Sequence, residues 1–437
     1  MPGLVFNPIS NYGAGRGVQP YVPTYDSVYV SSFDLYQASG SATQATQGGI
    51  VKMNFEGAVD TLWMASANSS SFGAVKQVRH SQGARDSIIG DYRVVSSSVD
   101  YRETRLIDKT SGAVSASSGL MVDTGGSIFG MVTDENENYI YMFGQTGMIV
   151  SGSNSHPALA RVPHSSINTD SSFETNLGSG PTNTLGGTSF IHDVYVNKNG
   201  KIGVAHSGQT WNNITGKYAN FVVLNQDGTV DTTFDFGNSI FEQLGAPVIN
   251  GAVLTCHWFE YEGNAVWVVG GIFDSFGGNS TYKKIMAFNE DGTVNSQWTT
   301  NFQEGTPGND LNADVREIAE AKQSGGAPSL AMIMGNFTQK GTSSCKKIMV
   351  IQGHDGFPQN LGNGTKPDIH GGVVYNDQLY YVYDGTSVQD NANVTVNVDG
   401  MYATDVFSLN HTSPFDIGAG LETSGGASAE PGSIFLG

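Results

Sequence analysis

Seven segments of the chain share one pattern: an apolar strand, a polar turn, and a short exit that usually ends on a bulky apolar residue. The clearest is Phe221–Phe234, FVVLNQDGTVDTTF. Asp-Gly between apolar runs is a strong hairpin signal, because a two-residue type I′ turn needs positive φ at both positions. That turn is expected at Asp227-Gly228. The pattern recurs at Ile50–Trp63 (IVKMNFEGAVDTLW), Leu159–Phe173 (LARVPHSSINTDSSF), Ile285–Trp298 (IMAFNEDGTVNSQW) and Ile348–Leu361 (IMVIQGHDGFPQNL). Weaker copies lie at Glu103–Val114 and Ala403–Phe415. A local hairpin that repeats along a whole chain commits it to a repeat architecture.

The closing residues Trp63, Phe173, Phe234, Trp298, Leu361 and Phe415 recur about every 54 to 64 residues. Most copies follow an apolar stretch with Gly at or near its end: Ile140–Gly144, Lys201–Gly208, Ala265–Phe273, Leu330–Phe337 and Gln378–Gly385. Before each of these lies another strand candidate: Phe129–Thr133, Ile191–Asn197, Ala252–Glu260, Val315–Ala321 and Gly372–Tyr375. Val315–Gln323 has helical composition, but its place in the repeat assigns it to a strand. No amphipathic helix is expected. Four short strands per unit at this period read as β-propeller blades. The expected fold is all-β: a seven-bladed propeller of four-stranded antiparallel blades over residues 28–415. Residues 1–27, with Pro2, Pro8, Pro20 and Pro23, read as an extended arm. Residues 416–437 read as a flexible segment. Within it Gly432–Leu436 (GSIFL) resembles Gly126–Gly130 (GSIFG), so it is expected to supply the first strand of blade one and close the ring. The stretch Val18–Val22 is the rival donor.

Composition agrees with a turn-rich β chain: 57 Gly, 14% charged residues, and Ser, Thr and Asn at many polar positions. The net charge is −19 with no basic cluster, which argues against nucleic acid as a partner. Cys256 and Cys345 are too few for a disulfide framework and lack metal-ligand spacing. The opening MPGLVFNPISNYGAG has no basic n-region or continuous apolar run, so a secretory leader is not expected. No apolar run is long enough for a membrane helix.

The repeats resemble the Gly-rich, roughly sixty-residue propeller repeats known as delta-60 repeats. Gly270, Gly271 and Phe273, then Asn289, Asp291, Gly292 and Trp298, follow that family's pattern, with Asn295 at an Asp position. Asn225, Asp227, Gly228, Asp231 and Phe234 match its second half, and Asn54, Gly57, Asp60 and Trp63 match with Glu56 for Asp. The resemblance implies a propeller over residues 28–415 and brings no catalytic residues. Such repeats occur in tailed-phage virion proteins and bacterial surface proteins.

No motif carries chemistry. Asp60, Asp170 and Asp231 sit at equivalent positions and are expected to cap tight turns, as are Asp227 and Asp291. Asp134–Gln145 begins like a calcium loop, but Tyr139 and Gln145 stand where Gly and Glu are required. The nine His show no metal spacing, and no G-x-S-x-G is present. His192-Asp193 is expected on an inner strand, where it could face a central channel. Gly13–Gly17 is not a dinucleotide fingerprint. The loop carrying Trp211 and Tyr218 is the candidate interaction surface, with aromatic rings available for a sugar or a partner protein. No metal, cofactor or catalytic residue is expected. The function expected is a non-enzymatic virion component such as a tail nozzle, hub or collar. Its partners would be other virion proteins, copies of itself and a host-surface glycan. The alternatives are a bacterial extracellular adhesion propeller, at the cell surface or secreted, and a glycan-active enzyme.

Overall fold

A computed structural model describes most of residues 128–362 and, outside that span, chiefly the strands between Ser27 and Asp123 and between Asp368 and Leu436. Residues 1–26, with the proposed arm, and Trp63 lie outside the described residues. The chain is all-β, built of small antiparallel sheets. No helix among the described residues is long and apolar enough to cross a membrane.

Seven sheets of three or more strands occur among the described residues. One compact unit, Gly125–Ile149 with Asn154–Gly362, holds sheets three to six. Sheet three comprises Ile128–Thr133, Tyr139–Gly144 and Leu159–Pro163. Sheet four comprises Ile191–Val196, Ile202–His206 and Phe221–Leu224. Sheet five comprises Val253–Tyr261, Asn264–Gly271 and Ile285–Asn289. Sheet six comprises Val315–Ala321, Leu330–Gly335 and Ile348–Gln352, so the helix-like composition of the first of these yields to strand pairing. The first strands of these four sheets lie side by side in chain order.

The second unit holds sheets one, two and seven. Sheet two pairs Val75–Ser81, Ser87–Ser96 and Val99–Asp108. Sheet seven pairs Asp368–Tyr375, Gln378–Asp384 and Met401–Asp405. Sheet one draws on both ends of the chain. Ser433–Leu436 pairs with Val28–Ser31, which pairs in turn with Ile50–Met53. The C-terminal strand thus takes the first-strand place, beside the first strands of sheets seven and two. The stretch expected to be flexible also contributes Leu421–Glu422, paired with Tyr36–Gln37.

Six of the seven first strands slip register near their start, at Val75/Gln77, Ile128/Gly130, Ile191/Asp193, Val253/Thr255, Val315/Glu317 and Ile369/Gly371. A bulge of this kind bends the strand and tightens its twist. It also explains the Gly that closes the second strand. A Cβ on Gly271 would lie 2.1 Å from the carbonyl oxygen of Ala252, just before the bulge.

The Asp-Gly turn differs from expectation. Gly228 N–H donates to Asn225 O at 3.0 Å and Asn225 N–H to Thr229 O at 2.8 Å, so the loop has three residues. Gly228 has φ +93° while Asp227 keeps an ordinary negative φ, as in a type I turn followed by a left-handed residue. The reason is local: Asp227 Oδ1 accepts from Thr229 N at 3.0 Å and Thr229 Oγ1 at 2.7 Å, which holds the Asp in the turn. Asn289–Thr293 repeats the arrangement. Positive φ at both positions of a two-residue turn occurs instead at Glu262-Gly263, between the first two strands of sheet five.

Among the described residues the expected fourth strand is also missing from sheets three, four and five. It forms in sheet six, Pro358–Leu361, and Met121–Asp123 flanks sheet two. In sheet four the exit makes one bridge, Leu224 to Val230. In sheets three and five it winds into short helices, α1 (Ser171–Leu177) and α2 (Ser296–Phe302). Seven residues are too few to display a helical period, but each helix starts at a capping residue, Asp170 or Asn295. The closing residues Phe173, Phe234 and Trp298 are buried. Phe234 packs edge-on against Phe221 and Phe288, with centroids 5.7 and 5.8 Å away. Burying each ring contributes roughly 2–3 kcal/mol, which anchors these three exits to the core.

Candidate functional site

The repeated Asp residues act within the backbone. Asp170 accepts from Ser172 N and Phe173 N, and its other oxygen lies 2.6 Å from Arg161 Nη2. Asp231 accepts from Thr233 N and Oγ1, and from Lys201 Nζ at 2.7 Å. Asp60 lies 3.9 Å from Lys52 Nζ. Burial alone would raise the carboxyls of Asp170 and Asp231, but the Arg161 and Lys201 contacts and the cap bonds outweigh it and hold both below the ordinary carboxylate value. Hydrogen bonds from Thr229 and Thr293 lower Asp227 and Asp291 in the same way.

The aromatic interaction loop is corrected by its burial. Thr210–Trp211 pairs with Pro181–Thr182, which ties the loop to the segment leading into sheet four. Trp211 is fully buried, with its ring 5.3 Å from His206. Tyr218 is 5% exposed and meets Phe236 edge-on. Neither ring is presented for stacking. Sheet five uses the same device, Phe241–Glu242 against Ser275–Phe276, so the variable loop is a laced part of the repeat.

His192-Asp193 joins sheets. Asp193 Oδ2 accepts from Thr255 Oγ1 and Cys256 N of sheet five, both at 3.0 Å, and burial raises its carboxyl. His192 sits at the bulge, and burial pushes its pKa down to about 4. His206, fully enclosed and near His192, is pushed to about 3. His257 Nε2 lies 3.5 Å from Glu320 Oε2 of sheet six.

The candidate site is a cleft of about 320 Å³ between sheets four and five. Val223, Trp258 and Trp267 line its apolar part, with the two indole rings 5.1 Å apart and edge-to-face. Its polar wall on sheet four is Asn197, Asn199, Lys201, Asp231 and Thr233; on sheet five it is Glu290 and Asp291. Lys201 Nζ donates to Asn225 Oδ1 and to Asp231 Oδ2, each at 2.7 Å. Asn197 Oδ1 accepts from Asn199 N and Lys201 N and shapes the turn that presents Lys201. Trp258 Nε1 has no hydrogen-bond partner among the described residues. With Asp231 and Asp291 held ionised, these groups accept hydrogen bonds and do not deliver protons. Among the described residues no group of three metal-ligating side chains occurs. Sequence reasoning identified Asp231 and Asp291 but missed Lys201, Trp258 and Glu290. Lys201 carries one signal, its place directly after the Asn-Gly turn. The tryptophans read only as strand residues.

No family model and no curated protein sequence matches the chain. Solved structures align over most of its length at low identity. A Lactobacillus plantarum protein is 10% identical with a TM-score of 0.43, over 94% of this chain and 99% of that one. A 6-phosphogluconolactonase candidate from Bacteroides fragilis is 11% identical with a TM-score of 0.43, over 96% and 99%. BamB from Moraxella catarrhalis is 9% identical with a TM-score of 0.39, over 88% and 93%. At these scores the likeness assigns no activity to this chain.

Proposed function

We propose that the seven sheets are the blades of one closed β-propeller, and that the chain is a non-enzymatic structural component of a tailed-phage virion, at a tail nozzle, hub or collar. The observation that carries this reading is the placement of Ser433–Leu436 beside the first strands of sheets seven and two. A chain that builds its own end into its first repeat, against the second and last, is a stiff support, suited to presenting surfaces to neighbours. The repeat carboxylates are spent on caps and ion pairs, which favours holding shape over turnover. The virion setting itself rests on the resemblance of the repeats and on the acidic, cysteine-poor composition. Mass spectrometry of purified particles, with native mass measurement of the isolated chain, tests it. Incorporation into particles or a symmetric oligomer is expected. A monodisperse monomer absent from virions overturns it.

A further inference from the structure

We propose that Lys201 and Asn225 join in an isopeptide bond, with Asp231 relaying the proton, so that sheet four gains a covalent tie between its second and third strands. Lys201 directly precedes Ile202, and Asn225 directly follows Leu224, the ladder partner of Ile202, so the two side chains meet at the end of the sheet. Lys201 Nζ lies 2.7 Å from Asn225 Oδ1 and 2.7 Å from Asp231 Oδ2. Asn225 Nδ2 donates to Thr229 Oγ1 at 2.9 Å, which turns the amide carbonyl toward the lysine. A nitrogen in hydrogen-bond contact with a carbonyl oxygen lies roughly 3–4 Å from the carbon behind it, close to a near-attack arrangement. The flexible lysine stem lets Nζ swing from the plane of the amide onto its face. Sheet five shows that the hairpin does not require this trio. There Val266 stands opposite Asn289, Asn295 takes the place of Asp231, and Asn289 Oδ1 accepts from Asn295 Nδ2 at 2.9 Å. The lysine and the carboxylate are additions of sheet four.

The step balances without an outside reagent. Ionised Asp231 takes one proton from the Lys201 ammonium, and the freed amine attacks Asn225 Cγ. The Nζ–Cγ bond forms and the Cγ–Nδ2 bond breaks. The proton on Asp231 and a second proton from Nζ pass to the departing nitrogen, which leaves as ammonium, and Asp231 is ionised again. Asp231 thus delivers only a proton that it has taken. Its side chain is 7% exposed and screened from water, whereas that of Lys201 is 35% exposed and opens onto the cleft, which gives ammonia a way out. Proton transfer within the ion pair is uphill, so the reaction is slow, but a single turnover needs no speed and loss of ammonia to solvent draws it forward. The geometry described is the unreacted arrangement, with the ion pair intact. The proposal stands apart from the virion reading, which particle incorporation tests without reference to this bond.

The test is intact mass spectrometry of the full chain, fresh and after prolonged incubation at neutral and mildly alkaline pH, followed by tryptic mapping. Loss of one ammonia is expected, with a branched peptide in which cleavage after Lys201 is lost and position 225 is joined to it. Hydroxylamine separates this bond from a cyclic imide at an Asn-Gly step such as Asn199-Gly200, since it cleaves the imide and leaves the isopeptide. Lys201→Arg keeps the cation without an attacking amine, and Asp231→Asn copies sheet five. Both should fold, as read by circular dichroism, and should retain the full mass. A parent chain whose mass never changes, an ammonia loss that maps elsewhere or yields to hydroxylamine, or a bond that forms as completely in Asp231→Asn overturns the proposal.

Discussion

Asn176 Nδ2 donates to the backbone carbonyl of Asp227 at 3.0 Å, and so ties the exit of sheet three to the hairpin of sheet four. Asn301, six residues after its cap as Asn176 is after Asp170, does the same to Asp355 of sheet six at 2.9 Å. In sheet four, Asp235 N–H donates to Asp291 O at 3.0 Å. Each of these three Asp-Gly hairpins is therefore also a joint, on which the exit of the preceding repeat rests. The glycine is what allows this approach. A Cβ on Gly228 would lie 2.7 Å from Phe173 O, and one on Gly356 2.7 Å from Trp298 O.

That joint makes Gly356→Ala costly. The substitution adds left-handed strain at φ +82° to a clash with backbone, and should destabilise by about 3 kcal/mol. Gly263→Ala is the control. It has φ +78° with nothing within 4 Å, and should lose only about 1 kcal/mol. Urea unfolding of the two variants reads the difference; equal losses would remove the joint as an explanation.

Lys201→Met should cost about 2 kcal/mol at neutral pH, because Asp231, only 7% exposed at its side chain, loses its cation. The Asp231 pKa is lowered in the folded state, so the pair's contribution is present above the ordinary carboxylate value and fades as pH falls through the folded one. The deficit of the variant should accordingly shrink in acid, measured by unfolding at neutral pH and near pH 3.

His192 and His206 should make the fold acid-sensitive. Their folded pKa values, about 4 and about 3, lie below the ordinary 6.5. Below 6.5 the unfolded chain binds protons that the folded chain refuses, so stability falls with pH down to the folded values. A loss on the order of a few kcal/mol is expected between pH 6.5 and pH 4. His192→Gln should flatten that slope, read from unfolding temperature across the range. Asp193, whose carboxyl is raised, works in the opposite sense and should partly offset the loss.

Deleting residues 430–437 removes the first strand of sheet one and leaves Val28–Ser31 with one partner. The unfolding temperature should drop by about 5 °C or more. Unchanged stability would mean that the strand adds little to the fold.

Much of the repeat was legible. In sheets three to seven, apolar runs with Gly at or near their ends located the first and second strands within a few residues, because strand pairing demands apolar side chains and the bulge demands Gly271 at its closest approach; the first two strands of sheet two, Val75–Ser81 and Ser87–Ser96, were missed. The GSIFL match located the C-terminal strand. The turn at Asp227-Gly228 was placed but mistyped, since the Thr229 bonds that hold Asp227 are specific to that loop. The candidate site was the least legible part. Lys201 and Trp258 lie 57 residues apart in the numbering, on two sheets, and no local spacing relates them. Trp211 misled because an aromatic in a polar loop reads as exposed, whereas a two-residue ladder to Pro181–Thr182 folds it inward.

What the sequence determined alone is what a single repeat needs from its own residues: strand alternation, an Asp cap three residues before a core ring, and Gly where backbone crowds backbone. Those demands are local, and each copy restates them. Tertiary structure alone decided how the copies meet. Whether an exit becomes strand, bridge or helix, which carboxylate finds Lys201, and that Trp258 shares a cleft with Glu290 depend on the separation of neighbouring sheets. That separation is set by packed side chains from two repeats at once, so it is written in neither repeat alone.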